Sequence, residues 1–313
     1  MRRPPLVYHE GYDLNFGDHV FPSNKYRLVR ARLIREGLAT ADDFIEPEAA
    51  SEEDLLLVHT PGWIRKLAGG TLTYHEIQQL EAPYSRATIR AYWLAAGGTI
   101  HASRLALEHG IGVNVGGGFH HAFPGHGEGF CAINDIGVAI RRLQRDGLIE
   151  RAAVVDCDVH HGNGTAAIFA GDSSVFTLSI HQRNNYPAVK PPSTIDIHLE
   201  DGATDEEYLS RLREPLRAAI LGHRPQLVVY VAGADPYLDD QLGGLCLTMD
   251  GLKARDRLVF DTSLRSGAPV AVVLAGGYAA QPPHTVTIHV NTIRAAAESL
   301  EDVGWAGRSG STS

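Results

Sequence analysis

The sequence has few of the features that mark several large protein classes. It contains only 3 Cys in 313 residues, too few for a disulfide framework, which fits a reducing compartment. It has no uncharged apolar stretch long enough to span a membrane. The first residues lack the apolar run of a signal peptide. We therefore expect a cytoplasmic protein without membrane association.

The sequence also lacks an excess of positive charge. The 28 Lys and Arg against 37 Asp and Glu give a formal net charge of −9, so no basic field would attract nucleic acid. Hydrophobic residues make up 44% of the chain, enough for a substantial core, and no linker or repeat divides it. We predict a single domain over residues 1–306 and a short flexible tail over residues 307–313.

Five short apolar runs, rich in β-branched residues, predict buried strands of a parallel sheet. They are Ile111–Val115, Ala152–Asp156, Ser174–Ile180, Gln226–Ala232 and Pro269–Leu274. Helical patterns alternate with them, which predicts an α/β fold with a mainly parallel central sheet and helices on both faces. The first 80 residues are less regular, and we expect them to wrap the sheet or form a rim.

The helical patterns carry recognisable start and stop signals. Ser85 can cap a helix that runs to about His109 and that the Gly97-Gly98 pair is expected to bend or break. Thr204, with Glu207 three residues later, predicts a capping box. Three further helices are expected, from residue 134 or 135 to Gly147 and over about residues 248–265 and 285–300.

Polar residues follow four of the predicted strands directly. Since the carboxyl ends of parallel strands lie at one edge of a sheet, these residues are expected to meet there. They are His120, His121, Asp156, Asp158, His160, Asp235 and Tyr278.

Several of these residue types suit metal and proton chemistry. Asp156, Asp158 and His160 alternate, which indicates a divalent-metal site completed by an Asp from a neighbouring strand; the alternative is a polar turn with Asp as a helix cap. The histidine pair after three glycines suits proton transfer. Asp235 could be a turn residue or a metal ligand, and we favour the ligand. Tyr278 could be an amphipathic core residue or donate a hydrogen bond to an oxyanion.

Taken together, these motifs resemble the zinc-dependent histone deacetylase family, whose fold is the three-layer arginase–deacetylase fold. The resemblance runs from about Tyr8 to Ala279 and is most similar to class IV members and their bacterial-type relatives. Its strongest parts are Gly116–His121, Gly127–Ile136, Asp156–Thr165, Gly233–Gly244 and Gly276–Tyr278.

The resemblance implies a role for each matching position. Zinc is expected on Asp158, His160 and Asp235. His121 matches the general base and later acid, and His120 its partner with an electrostatic or positioning role. The remaining matches are Asp156, which orients His120, Tyr278, which stabilises the transition state, and Asn163, which lies behind His121 where some relatives carry Asp.

The resemblance also implies a narrow acyl-lysine channel and a second ion. The channel is expected to be lined by Gly129, Phe130, Tyr186, Gly276 and Gly277. A structural potassium ion is expected at Asp156, Asp158, His160, Ser179 and Ile180, held largely by backbone carbonyls. For the acid that grips the substrate body at the rim, Glu81 and Asp18 are the candidates.

The function implied is zinc-dependent removal of acetyl or longer acyl groups from lysine side chains. The alternative is hydrolysis of acetylpolyamines or other small amides, and a third possibility is a non-catalytic module that binds acyl-lysine. A two-manganese ureohydrolase is disfavoured, because the chain has Asp-x-Asp-x-His-His rather than Asp-x-His-x-Asp. The sequence leaves the acyl length, the physiological substrate and the oligomeric state open.

Overall fold

A computed structural model describes residues 3–305 of the protein; the predicted tail, residues 307–313, lies outside the described residues. Within this range, eight parallel strands form one sheet with the order β2-β1-β3-β8-β7-β4-β5-β6. The strands are β1 Leu6–Val7, β2 Phe44–Ile45, β3 Ile111–Asn114, β4 Ala152–Asp156, β5 Val175–Gln182, β6 Ile195–Leu199, β7 Leu227–Val231 and β8 Val270–Val273.

Ten α-helices of the described range cover this sheet. They are α1 Lys25–Arg35, α2 Glu52–Leu55, α3 Pro61–Gly69, α4 Tyr74–Leu80, α5 Arg86–His109, α6 Asp135–Arg145, α7 Asn163–Ile168, α8 Asp205–Arg217, α9 Met249–Arg265 and α10 Pro282–Val303. Helix α5 packs with α6, while α10 packs with α1 and α9, and α9 with α8. Both groups contact the central strands, which are buried at every residue. The predicted three-layer α/β fold with a parallel sheet is confirmed.

The five predicted strands coincide with β3, β4, β5, β7 and β8 to within two residues. Three strands were not predicted. β1 and β2 have two residues each, too few for a periodic pattern to appear. β6 lies at the edge of the sheet and is half-exposed, so it lacks a continuous apolar run. The less regular first 80 residues thus supply one edge of the sheet as well as α1 to α4.

The expectation that Gly97 and Gly98 bend or break their helix is wrong. Helix α5 runs without interruption, with the predicted Ser85 hydroxyl accepting a hydrogen bond from Thr88 N at its start. A Cβ on Gly97 would lie 1.9 Å from the Glu48 backbone oxygen, and one on Gly98 would lie 2.0 Å from the Tyr12 hydroxyl. The two glycines therefore allow other segments to pack closely against the helix.

The capping box predicted for α8 is also wrong. Thr204 occupies the N-cap position but its side chain accepts no capping hydrogen bond. The neighbouring Asp205 carboxylate instead accepts hydrogen bonds from the backbone nitrogen (2.9 Å) and hydroxyl (2.7 Å) of Thr248, the N-cap of α9. This contact ties the starts of two helices together.

Because every strand points the same way, the loops that follow the strands all open at one edge of the sheet. The loops after β3, β4, β7 and β8 carry the polar residues that the sequence placed there. None of the helices in residues 3–305 has both the length and the apolar character needed to cross a bilayer.

The close packing at Gly97 predicts a stability cost. Gly97→Ala is expected to lower the free energy of unfolding by about 1–3 kcal/mol, because the new methyl group meets backbone that cannot rotate away. Urea denaturation measures the difference. Gly62→Ala in α3, where no heavy atom lies within 4 Å of the added carbon, is the control and should leave stability unchanged or raised. Equal stability of the Gly97→Ala variant and the parent would contradict this packing argument.

Candidate active site and metal centre

Two aspartates and a histidine meet at the carboxyl ends of β4 and β7. Ligand atoms of Asp158, His160 and Asp235 all lie within 4.8 Å of one another, and all three side chains are buried. His160 Nδ1 is 3.0 Å from Asp158 Oδ1 and 3.5 Å from Asp235 Oδ2. The structure therefore brings together the three residues that the family resemblance implied as metal ligands, whereas Asp156, which alternates with two of them, contacts His120 instead.

Backbone donors hold one oxygen of each carboxylate in place. Asp158 Oδ2 accepts a hydrogen bond from Gly276 N (3.0 Å), and Asp235 Oδ1 accepts one from Val159 N (2.9 Å). The buried guanidinium of Arg255 donates to the carbonyl oxygens of Cys157 (3.1 Å) and Gly233 (2.7 Å). These contacts join the loops after β4, β7 and β8, so the distance between the two aspartates is set by the fold.

The electrostatics of this group favour a cation. Burial and the charge of Asp158 raise the pKa of Asp235, because two carboxylates compete for one small volume. Burial alone would lower the pKa of His160, but the two aspartates outweigh it and raise the pKa to about 10. Asp235 Oδ2 is buried and has no hydrogen-bond partner. Two carboxylates, one of them with an oxygen that lacks a hydrogen-bond partner, and one imidazole are a ligand set that fits a divalent cation such as zinc.

A second group of potential ligands in the described range is His161, His181 and Asp196. It shares no residue with the first group, so the two do not form the bridged pair that a dinuclear enzyme needs. Both ring nitrogens of His181 are engaged, Nδ1 with Ser179 Oγ at 2.9 Å and Nε2 with His198 Nδ1 at 2.8 Å. These side chains form a hydrogen-bonded chain beside β5 and β6.

The two neighbouring histidines after β3 have different partners. His120 and His121 face each other through their Nε2 atoms at 3.1 Å. The Nδ1 of His120 lies 2.7 Å from Asp156 Oδ2, whereas that of His121 lies 2.7 Å from Asn163 Oδ1. The sequence paired each histidine with this partner, and the structure places all four side chains in contact.

The different partners separate the two pKa values. Burial alone would lower the pKa of His120, but the charges of Asp156 and Asp158 raise it to about 9. Burial and the neighbouring His120 and His160 lower the pKa of His121 well below its ordinary value. His120 therefore holds its proton, while neutral His121 is free to accept one.

Three glycines before the histidine pair shape this loop. Gly117 and Gly118 have φ values of +69° and +88°. The turn lets Gly118 N (3.0 Å) and Phe119 N (2.8 Å) donate to the buried carboxylate of Asp135 at the start of α6. The positive φ angles of these glycines therefore allow the loop to bind Asp135.

The phenol of Tyr278 lies on the same side as the histidines. Its backbone nitrogen donates to Asp240 Oδ2 at 2.7 Å, which fixes the loop after β8. Burial and the charge of Asp235 raise the pKa of Tyr278 well above its usual value, so its hydroxyl remains a hydrogen-bond donor. Tyr278 lines a cavity of about 20 Å³ together with His120, His121, Asp158, His160 and Gly276, a space that suits a water molecule.

Aromatic rings surround the approach to this cavity. Phe130, with φ of +66°, packs edge-on against Tyr278 at a centroid distance of 6.3 Å. Tyr186 stands perpendicular to His121 at 4.9 Å, and a Cβ on Gly129 would lie 2.7 Å from the His121 ring and 2.9 Å from the Tyr186 ring. Gly129 thus lets these two rings come together.

Sequence reasoning missed two aromatic residues near the approach. His19 packs against Phe130 at 4.9 Å, and Phe21 packs at 6.0 Å against both Phe130 and Tyr278. They come from the irregular segment before α1, where no motif marked them. His19 Nε2 also contacts the backbone oxygen of Glu81 at 3.0 Å, which brings this rim candidate near the aromatic residues. Asp18 is exposed beside His19.

The five residues proposed for potassium lie at the end of β4, in the loop that follows it, and within the neighbouring strand β5. Asp156 and Ser179 are paired in register across these strands, and all five residues are buried. Ser179 Oγ contacts His181 Nδ1.

Residues 19–293 match the model of the histone deacetylase domain. The chain belongs to the histone deacetylase family. It is 33% identical over 288 residues to histone deacetylase 2 of Arabidopsis thaliana, an alignment that covers 87% of this chain and 74% of that protein. This membership confirms the resemblance stated from the motifs, and the family identifies the protein as a histone deacetylase-like amidohydrolase.

Solved structures agree on the fold. The chain superposes on the HD domain of HDA15 with a TM-score of 0.80 at 23% identity, covering 97% of this chain and 93% of that one. It superposes on an acetylpolyamine aminohydrolase of Burkholderia pseudomallei with a TM-score of 0.76 at 19% identity, covering 93% and 98%. The arginase–deacetylase fold expected from the sequence is thereby confirmed.

Metal binding is expected to stabilise the folded deacetylase domain through the three-residue group. Zinc at a hundred times its dissociation constant would add about 2.7 kcal/mol to the free energy of unfolding. Calorimetry with chelator and then with zinc measures this gain as a rise in Tm. Asp235→Asn should abolish the rise, since it removes the charge of a buried ligand oxygen.

The control for this experiment is Asp196→Asn, which alters the second His and Asp group and should keep the zinc-dependent rise. A rise of equal size in the Asp235→Asn variant would show that zinc binds elsewhere.

Proposed function

We propose that this histone deacetylase-family protein is a zinc-dependent amide hydrolase that removes acetyl or longer acyl groups from lysine side chains. The observation that carries the proposal is the convergence of a buried Asp₂His group, a polarised histidine pair and a buried phenol around one small cavity. In the proposal Asp158, His160 and Asp235 hold the zinc ion. When bound, zinc would act as a Lewis acid that lowers the pKa of water toward about 7 and polarises the amide carbonyl.

His121 is the proposed general base. Its Nδ1 is engaged by Asn163, so its Nε2 faces the cavity side where His120 also lies. Neutral His121 would take a proton from the attacking water and later return it to the departing amine. His120, held by Asp156, would contribute positive charge beside the reacting atoms.

Tyr278 is the proposed donor to the carbonyl oxygen as that oxygen gains negative charge. The phenol is protonated and buried, so its hydrogen bond acts in a medium from which water is largely excluded. The apolar rings of Phe130 and Tyr186 would contact the methylene stem of the acylated lysine, with Gly129 and Gly276 lining the remaining wall. Gly277, expected in the channel, faces Thr285 and His289 instead.

Potassium belongs to the same proposal as a structural ion. Asp156, Asp158, His160, Ser179 and Ile180 would hold it, largely through backbone carbonyls. Since Asp156 contacts His120 and Asp158 lies in the metal group, an ion here would fix both parts of the site. Cytoplasmic location stays a prediction from the sequence.

Hydrolysis of acetylpolyamines is the second candidate, favoured by negative charge near the approach. The pKa of Glu81 is raised, mainly because the carboxyl is buried and also because the negative charge of Glu128 lies nearby. Glu128 also raises the pKa of Tyr186, again after burial. A cationic polyamine would be attracted to such carboxylates. A non-catalytic acyl-lysine module is disfavoured, because the histidine pair, Tyr278 and two of the proposed metal ligands line one cavity.

A substrate panel tests the proposal. Acetyl-lysine peptide, long-chain acyl-lysine peptide and acetylspermidine are each assayed with zinc and with chelator. Faster turnover of either peptide, lost on chelation, supports lysine deacylation; faster turnover of acetylspermidine supports the second candidate. Absence of turnover on all three, or activity that chelator does not change, would overturn zinc-dependent amide hydrolysis.

Tyr278→Phe is expected to lower kcat by about 10²–10³-fold, because it removes one oxyanion donor while leaving the ring in place. Zinc content by mass spectrometry should be unchanged, since the hydroxyl is not among the proposed ligands. Tyr237→Phe is the control, because Tyr237 contacts His284 rather than the histidine pair. Full activity of the Tyr278→Phe variant would remove Tyr278 from the reaction.

A further inference from the structure

A carboxylate lies directly behind Asn163, on the side away from His121. Asn163 Oδ1 is 2.7 Å from His121 Nδ1, while Asn163 Nδ2 donates to Glu128 Oε1. Asn163 is buried and the Glu128 side chain is only 15% exposed. His121, Asn163 and Glu128 thus form a continuous hydrogen-bonded chain that ends in a negative charge.

Glu128 is itself held in position by its surroundings. Its backbone nitrogen and oxygen bond to the oxygen and nitrogen of Cys131 at 3.1 and 2.9 Å. Its second carboxylate oxygen, Oε2, lies 3.4 Å from His126 Nε2 and 3.5 Å from Gln79 Nε2. The backbone of Glu128 is therefore fixed, and its carboxylate also accepts a hydrogen bond from Tyr186.

An amide side chain has two orientations, related by a flip that exchanges its oxygen and nitrogen. In the orientation present, Asn163 donates to Glu128 and accepts from His121. After a flip, Asn163 Oδ1 would face Glu128 Oε1, which places two acceptors against each other in a buried region. An ionised carboxylate cannot donate a hydrogen bond, so Glu128 excludes the flipped orientation.

Two contacts set which nitrogen of His121 carries the proton: the Asn163 amide at Nδ1 and the Nε2 atom of His120, 3.1 Å from His121 Nε2. With Asn163 Oδ1 as acceptor, His121 Nδ1 must be the donor, and the lone pair lies on Nε2. A flipped amide would donate to Nδ1 and move the proton to Nε2, the atom that faces His120 and the cavity. In that tautomer His121 could not accept a proton on Nε2.

We propose that Glu128 is a positioning residue for the reaction, because it orients the Asn163 amide and so keeps the Nε2 atom of His121 available as proton acceptor. The proposal rests on the proposed function, in which His121 is the general base. Glu128 acts on His121 through Asn163, and its carboxylate also accepts a hydrogen bond from Tyr186, one of the proposed channel residues.

Glu128→Gln is the first test, because glutamine can accept from or donate to Asn163 and therefore permits both amide orientations. We expect kcat for an acetyl-lysine peptide to fall by about 10–100-fold, a fraction of what a general base contributes, with zinc content unchanged. Gln79→Ala is the matched control, since Gln79 contacts only Oε2 of the same carboxylate, and it should keep the parental kcat. Parental kcat in Glu128→Gln would overturn the proposal.

The second test is a double-mutant cycle with Asn163→Asp. Aspartate has no donor and selects the Nδ1–H tautomer by itself, but beside Glu128 it would place two buried carboxylates in contact. We expect Asn163→Asp to lower kcat when Glu128 is present. In the Glu128→Gln background we expect the same substitution to raise kcat by at least about tenfold over that of Glu128→Gln alone. A residue that merely supported the loop would give no such change of sign, so additive losses would contradict the proposal.

A spectroscopic measurement separates this proposal from the proposed function. Histidine labelled with ¹⁵N distinguishes protonated from unprotonated ring nitrogens, and the signals of His121 are those lost in His121→Ala. The zinc-loaded parent should give protonated Nδ1 and unprotonated Nε2, and Glu128→Gln a mixture of tautomers. If the protein is inactive on every substrate but Glu128→Gln still gives the mixture of tautomers, only the proposed function is contradicted. If Glu128→Gln leaves the tautomer of His121 unchanged, the role of Glu128 is contradicted.

Discussion

Two buried carboxylates held a few ångströms apart are the constraint on which the rest of the site depends. Asp158 and Asp235 repel each other, and water cannot screen them. The fold nevertheless fixes them, because Arg255 binds both adjoining loops and backbone nitrogens hold one oxygen of each. His160 between them supplies only part of the compensation. A divalent cation would remove the repulsion, so the site couples the stability of the rim to metal binding.

The histidine pair shows how partners can divide chemical roles between identical side chains. Asp156 holds a charge beside His120, which favours its protonated form. Asn163 offers His121 an oxygen without charge, so His121 stays neutral. The proposed reaction needs both states at once: a protonated His120 that supplies positive charge and a neutral His121 that can accept a proton. Glu128 extends this arrangement, because an amide without a fixed orientation would leave the proton of His121 undetermined.

The sequence predicted those parts of the molecule that depend on local pattern. Continuous apolar runs located β3, β4, β5, β7 and β8, and the polar residues after these strands gave the rim, because parallel strands end at one edge. Contacts between distant segments were not predictable in this way. The glycines of α5 looked like a break because Glu48 and Tyr12, which pack against Gly97 and Gly98, are far away in sequence. His19 and Phe21 lie in a segment without periodicity. The contact from Glu128 to Asn163 joins a loop to the start of α7, and no motif predicts that these two segments meet.

The central claim is that Asp158, His160 and Asp235 bind one divalent ion. Anomalous diffraction at the zinc edge, measured on crystals grown with zinc, tests it most directly. The account predicts a single strong peak within about 2.0–2.2 Å of the ligand atoms of all three residues. A peak only at His161, His181 and Asp196, or no peak near β4 and β7, would contradict it.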